Sequence, residues 1–294
     1  MLVLDFDGTL TDAESEGVRF TEGFLRDLAT LTGHSLERIE GLHERFHREI
    51  LAEPTRRAWM LNGVAVAPAT VDPYLFIKPI AEMILDELGV VMDERVRENL
   101  ITHILCRDNY RLTKAHFRPG ARELLNCLYE DRARINVAIV TDWDTMTVLA
   151  KIETLALDYK SGYRKSFVDF WRDCIHGGAR KYVVDDSKNC ENGPLTFSVP
   201  GLDRPVFCGR PHYYGILSRL LKDRVLDWPD LTVVGDSLEM DLALPLSLGA
   251  NVGIMRSDRT PPCELDFLAG HSTAKVLEGI EDILPFYSEM RAAV

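Results

Sequence analysis

The stretch Met1-Leu-Val-Leu-Asp-Phe-Asp-Gly-Thr-Leu-Thr-Asp12 decides how this chain is read. An apolar run from Met1 to Leu4, broken by acids and then by Gly8, is the pattern of a buried strand whose end presents two carboxylates. Side chains two apart in a strand share a face, so Asp5 and Asp7 fall on one side if the strand runs through them. Two acids that close repel each other. They are tolerated where a hard cation sits among oxygen ligands, or where one acid attacks while the other carries a proton. Gly8 lets the backbone turn tightly and approach a ligand, and the Thr9 hydroxyl can donate a hydrogen bond. On these residues alone, a helix-capping role for the acids stays open.

Three later stretches bear on that choice. In Leu231-Thr-Val-Val-Gly-Asp-Ser-Leu-Glu-Met-Asp241 an apolar strand ends in Gly235, Asp236 emerges at its carboxyl end, and Asp241 follows on the turn into a helix. Leu242 to Gly249 and then Ala250-Asn-Val-Gly-Ile254 continue as helix, glycine and strand. Glu239 reads as a solvated helix residue. Earlier, Arg118-Pro-Gly-Ala-Arg-Glu-Leu-Leu-Asn-Cys-Leu-Tyr129 opens a helix, with Pro119 and Gly120 marking the turn. Asn136-Val-Ala-Ile-Val-Thr-Asp142 follows as an apolar strand. Helix then strand is a parallel-sheet unit, so Thr141 and Asp142 belong at a strand's carboxyl end; by itself Thr141 also reads as a helix N-cap. Finally, Cys208-Gly-Arg-Pro-His212 places a guanidinium before a proline, ahead of a helix carrying Ile216, Leu217, Leu220, Leu221 and Lys222.

Asp-Phe-Asp-Gly-Thr-Leu-Thr-Asp, residues 5–12, resembles the opening motif of the haloacid dehalogenase superfamily, and the other three stretches match its remaining motifs in order. The resemblance implies an α/β fold, a doubly wound, mostly parallel, Rossmann-like sheet with an inserted α-helical cap domain. Residues 1–14 and 117–294 would form the core and 15–116 the cap, which in this family closes over the site and chooses the substrate. It implies that Asp5 is the nucleophile, Asp7 the general acid and base, and Thr141 a hydroxyl donor to a phosphoryl oxygen. Arg210 stands where the family has a lysine before proline, with Lys222 as the alternative cation. A guanidinium keeps its charge and can fork across two oxygens, though the exchange is not conservative.

The same resemblance implies Mg²⁺ at Asp5, Asp7, Asp236 and Asp241, with Asp236 a direct ligand and Asp241 a ligand or the support of one. Asp7 narrows the chemistry. Dehalogenating members lack this second acid, phosphonate cleavers resembling this group usually have alanine there, and ion-pumping ATPases have threonine. The expectation is therefore a hydrolase, a Mg²⁺-dependent phosphatase acting through an aspartyl-phosphate on a small phosphorylated metabolite. A phosphomutase shares every motif. A catalytically silent binding or regulatory protein on the same fold is the reading from another class, supported only by Arg210 where lysine is expected.

From Ser15 to about His116 the pattern is helical. Phe20, Phe24, Leu28 and Leu31 form one stripe, punctuated by Gly33. Ile39, Leu42, Phe46, Ile50 and Leu51 form a second, Ile80, Ile84, Leu85 and Leu88 a third stopped by Gly89, and Val96, Leu100, Ile104 and Leu105 a fourth. The stretch Asn62 to Pro79, with three prolines and a glycine, reads as a connection. Within the helical insertion, Arg45, His47, Arg48, Arg56 and Arg57 cluster in sequence, interleaved with Glu44, Glu49 and Glu53 at pairing distances, as on a solvated helix face. The sharper alternative is an arginine that binds an anionic substrate group.

Between the second and third motifs, residues 158–207 form a longer interval than compact members of the family need, which suggests an extra insertion. Phe167, Phe170 and Trp171 predict a helical piece; Lys181-Tyr-Val-Val184 and Leu195-Thr-Phe-Ser-Val199 predict short strands around the polar loop Asp185 to Pro194.

The chain has 294 residues and a formal net charge of -12, a surface that would repel nucleic acid and anionic membranes. A phosphate site in such a chain must make its own positive field. No stretch approaches the roughly eighteen apolar residues of a membrane span, and the chain opens on a core strand instead of a leader, so the expected location is cytoplasmic. Cys106, Cys127, Cys174, Cys190, Cys208 and Cys263 include no CxxC pair and read as free thiols. Zinc held by Cys174 and His176 with Cys190 or Cys208 fits no common spacing.

Overall fold

The computed structural model describes residues 1–53, 58–61, 64–106, 109, 115–185 and 196–293. The chain divides into two compact units, one of Met1–Thr11, Met60–Ala67 and Phe117–Val294, the other of Asp12–Trp59 and Pro68–His116. Residues 60–67, grouped by the sequence with the helical insertion, cluster with the sheet unit.

The sheet unit is built on β1 (Leu2–Leu4), β4 (Val137–Val140), β5 (Ile175–His176), β8 (Thr232–Gly235), β9 (Asn251–Met255) and β10 (Ala274–Leu277), in the order β10-β9-β8-β1-β4-β5. Every neighbouring pair is parallel, with Leu2 opposite both Val137 and Thr232. After β1 the sheet grows to one side through β4 and β5, then the chain crosses back to β8 and grows to the other. The topological switch therefore lies at β1, and in such sheets the ligand crevice opens at the strands' carboxyl ends there. Period-two alternation explains why β1 is apolar throughout: Leu2 and Leu4 belong to one hydrophobic layer, Met1 and Val3 to the layer on the opposite face. Full burial of each of these leucines stabilises the fold by about 1.5–3 kcal/mol.

β1 stops at Leu4, so Asp5 and Asp7 lie beyond the strand in the turn that follows. Phe6 between them is fully buried. Asp12, the last residue of the same stretch, is a helix cap: its Oδ1 accepts from the amides of Glu14 and Ser15, both at 3.1 Å, to start the helix Ala13–Thr32.

In the interval 158–207 the predicted helical piece is Ser161–Cys174. The predicted strand at Lys181–Val184 is absent: Lys181 and Tyr182 form a turn and Val183 to Asp185 are irregular. β6 (Thr196–Phe197) and β7 (Val206–Phe207) make a two-stranded antiparallel pair. Residues 186–195, including Cys190 and most of the expected polar loop, lie outside the described residues.

The helical unit packs Phe20, Phe24 and Leu28 of the first helix, Ile39, Phe46 and Ile50 of Leu36–Ala52, and Ile77, Ile80, Ile84 and Leu85 of Pro73–Glu87 into one core. Gly33 ends the first helix at φ 68, a left-handed conformation in which glycine carries no Cβ penalty. Two expectations need correction. The presumed connection Asn62–Pro79 contains β3 (Val64–Pro68), paired with β2 (Ala58–Leu61), and the first half of the third helix. The fourth stripe is split, because the helix Glu94–Glu98 runs into a π-helical turn, Asn99–Cys106, which rotates the apolar face. Val96 and Ile104 are exposed, Leu105 is buried as the stripe requires, and Ile101 and Cys106 are buried beside it. Arg45 pairs with Glu87 at 3.1 Å, both half-exposed, and Arg56 and Arg57 lie outside the described residues. No described helix is long and apolar enough to cross a membrane.

Candidate active site

Three of the four motif stretches reach the carboxyl end of the sheet, because β1, β4 and β8 are adjacent and parallel. Asp5 follows β1, Thr141 and Asp142 follow β4, and Asp236 follows β8. Asp241 is brought back by a π-helical turn, Leu238–Leu242, capped by Ser237. Its Oδ2 accepts from the Ser237 amide at 3.0 Å, and its backbone carbonyl accepts from the Tyr213 hydroxyl at 3.0 Å. Two glycines make room for this convergence. A Cβ on Gly8 would fall 1.9 Å from Asp236 Oδ2, and one on Gly235 would fall 2.3 Å from Asp241 Cβ.

The carboxylates that converge are those of Asp5, Asp236 and Asp241, each offering an oxygen within 4.8 Å of the others. Among the described residues this is the one group of three or more histidine, cysteine or acidic side chains placed to share a metal ion. The carboxylate of Asp7 is not in that group; its Oδ1 lies 3.3 Å from Lys151 Nζ.

A cation that the motifs did not predict sits at the centre. Lys181 Nζ donates to Asp5 Oδ1 at 2.5 Å and to Asp241 Oδ1 at 2.7 Å, with the lysine side chain 2% exposed. The ammonium also stands 5.3 Å from the centre of the Tyr213 ring. Its backbone is fastened to β4, since Asp142 Oδ1 accepts from the Lys181 amide at 2.7 Å and the Ala179 amide donates to the Thr141 carbonyl at 2.9 Å. Arg210, the expected cation, is fully buried and faces elsewhere. Its guanidinium donates to the backbone carbonyls of Lys181 and of Val66 on β3, the latter at 2.8 Å. It therefore fixes the loop that carries Lys181 without touching the acids. Lys222 is exposed in the last turn of its helix.

Thr141 is buried at the end of β4, and its hydroxyl accepts from the Trp143 amide at 3.3 Å. The Thr9 hydroxyl donates to Asp5 Oδ2 at 3.3 Å, so both Asp5 oxygens have partners and the carboxylate is oriented. Glu239, expected in solvent, is fully buried and held by Arg204 through two hydrogen bonds of 2.7 and 2.6 Å, a fork that anchors the turn carrying Asp241.

Electrostatics follow from this burial. Desolvation pushes the Asp5 carboxyl up to about 8, against the downward pull of Lys181 and with the upward push of Asp241 and Asp7. Burial likewise raises Asp142, against Lys181. Lys181, although burial opposes its charge, is held well above the ordinary lysine value by Asp241 and Asp5. Lys181 thus bonds two of the three clustered carboxylates, and with Asp236 they make a hard-oxygen donor set that suits a small divalent cation.

No protein-family model matches the chain, and no curated protein does. Solved structures do. A Bacillus subtilis protein assigned as a HAD-hydrolase, YfnB, and bound to magnesium is 13% identical, with 98% of this chain and 97% of that one covered at a TM-score of 0.50. A Thermotoga maritima protein assigned as a β-phosphoglucomutase is 16% identical over 100% and 99% of the two chains, also at 0.50. A haloacid dehalogenase-like protein of Agrobacterium tumefaciens is 16% identical over 99% and 98%, again at 0.50. What these proteins share with this chain at such low identity is the fold: the chain has the fold of the haloacid dehalogenase-like hydrolases.

Proposed function

We propose that this protein is a Mg²⁺-dependent phosphomonoester hydrolase that works through an aspartyl-phosphate on Asp5. The observation that carries the reading is the cluster of Asp5, Asp236 and Asp241 at the sheet's switch point, with Lys181 bonded to Asp5 and Asp241. Asp5, Asp236 and Asp241 would hold Mg²⁺, which when bound would offset the negative charge of both the acids and the phosphate. Asp5 attacks phosphorus in line: a bond forms from its carboxylate oxygen and the bond to the alcohol oxygen breaks. Asp7 gives its proton to the departing oxygen. Asp7 then takes a proton from water as that water attacks the acyl phosphate, which releases orthophosphate and restores the Asp5 carboxylate. Lys181 fills the role sought for Arg210, neutralising Asp5 and the incoming phosphate from a position fixed by Asp142 and Arg210. The Thr141 hydroxyl and the amides after Asp7 would donate to the equatorial oxygens, where positioning and electrostatics supply most of the acceleration. The helical unit is the proposed substrate-selecting cap.

The test is phosphate release from an aryl phosphate with and without Mg²⁺, in the native protein and in Asp5→Asn. Mg²⁺-dependent release that falls by about a thousandfold or more in the variant is expected, since the nucleophile is lost. Retained Mg²⁺-dependent activity in Asp5→Asn would remove Asp5 from its role and overturn the reading.

A further inference from the structure

A second cation accompanies the other acid of the opening stretch. Lys151 lies on the helix Thr145–Thr154, and its Nζ is 3.3 Å from Asp7 Oδ1, with the two side chains 16% and 18% exposed. The ammonium stands over two rings, 5.5 Å from the centre of Phe6 and 5.7 Å from that of Trp143. Phe6 is fully buried and Trp143 follows the end of β4, so both rings are fixed by the sheet. The lysine head is therefore held in place, partly desolvated, at the rim of the same carboxyl-end crevice.

Its position has a consequence for the substrate. A leaving oxygen that hydrogen-bonds to Asp7 lies about 2.6–3.0 Å from that carboxylate. An ammonium on the same carboxylate then lies within about 6 Å of the leaving oxygen, the span of one hydrogen bond plus the reach to a group two bonds away. We propose that Lys151 is a specificity-determining residue that selects phosphomonoesters whose alcohol carries a carboxylate close to the ester oxygen, so that the substrate class is a phosphorylated hydroxy acid. An ammonium has three N–H donors, so Lys151 can hold Asp7 and a substrate carboxylate together, and in a chain of net charge -12 an anionic substituent needs such a local partner. The inference rests on the hydrolase reading above, in which Asp7 faces the leaving oxygen.

The experiment compares kcat/KM for 2-phosphoglycolate with that for 2-hydroxyethyl phosphate, its neutral counterpart of similar size, with Mg²⁺ present. The native protein is expected to prefer the carboxylate by about tenfold or more, the scale of one charge-assisted hydrogen bond. Lys151→Met, which keeps the aliphatic stem over the rings, should bring the ratio close to one, mainly through KM for phosphoglycolate, while Lys151→Arg restores most of the preference. A change in the ratio between two substrates is a readout that loss of folding does not produce. An unchanged ratio in Lys151→Met, or no preference in the native protein, overturns the assignment. A native protein that hydrolyses an aryl phosphate but not phosphoglycolate overturns it too and leaves the hydrolase reading standing; one that hydrolyses none of the three overturns both.

Discussion

Lys181 carries a charge at almost complete burial, and the acids around it are what make that tolerable. Removing one partner of a buried pair costs about 3–5 kcal/mol, because the other charges stay behind. Lys181→Met should therefore lose activity and melt lower in metal-free buffer, and added Mg²⁺ should raise its melting temperature more than that of the native protein, since the ion binds only the folded cluster. Melting curves with and without Mg²⁺ decide this; an equal response to Mg²⁺ in the two proteins would show that the acids and Lys181 do not share a cation site. Asp5 and Asp236 were legible in the sequence because each follows an apolar run that ends at a strand's carboxyl edge, and Asp241 through its spacing after Gly235-Asp236. Lys181 was not. Lys-Tyr-Val-Val has the composition of a strand, but the chain there turns, fastened by Asp142 and Arg210 from distant parts of the sequence. Arg210 drew attention by its Gly-x-Pro setting, yet Pro211 is simply the first residue of a helix, where proline is common in any fold.

At the scale of elements, prolines misled where they sat inside structure. Pro68, Pro73 and Pro79 suggested a loop, but Pro73 begins the helix Pro73–Glu87 and Pro79 lies within it. The start is set by Asp72, whose Oδ1 accepts from the amides of Tyr74 at 2.6 Å and Leu75 at 3.2 Å. With Pro79 lacking an amide to donate, the helix depends on this cap and on the packing of Ile77, Ile80 and Ile84. Asp72→Ala should lower stability by about 1 kcal/mol and Asp72→Ser should keep most of it. Chemical denaturation followed by circular dichroism measures this, and an unchanged midpoint in Asp72→Ala would show that packing alone sets the helix start. The π-helical turn Asn99–Cys106 could not be read either. The apolar residues of that segment fit an ordinary helical stripe, and the five-residue hydrogen-bond step that turns Val96 and Ile104 outward leaves no mark in composition.

At the scale of the whole molecule, helix-then-strand order pointed to a parallel sheet and the motif resemblance to a doubly wound one, whereas neither revealed the membership of residues 60–67. Their place in the sheet unit includes a hydrogen bond from Arg210 to the Val66 carbonyl, 144 positions away, which no local pattern encodes. The same long-range burial sets how global stability responds to pH. Burial pushes the Glu264 carboxyl up to about 8 from an ordinary 4.5, with Glu239 adding to the rise and the Leu238 amide opposing it. Between those values the folded chain binds more protons than the unfolded one. The contribution of Glu264 is then complete below about pH 4.5 and is lost as pH rises through 8. His43 acts in the opposite sense. Burial, then His47, lowers it from 6.5 to about 4, so its contribution is complete above 6.5 and is lost as pH falls through 4. Below pH 6.5 the two effects oppose each other, and above it His43 is silent. Between pH 6.5 and 8, where Asp5 acts in the same sense, the share of Glu264 is a loss of about 2 kcal/mol of stability, because a proton bound only in the fold is worth about 1.4 kcal/mol for every tenfold change in proton concentration. Glu264→Gln keeps the shape of the protonated acid and cannot ionise. Its melting temperature relative to the native protein should rise steadily across that window, and a difference that stays flat with pH would mean that Glu264 is ionised in the fold.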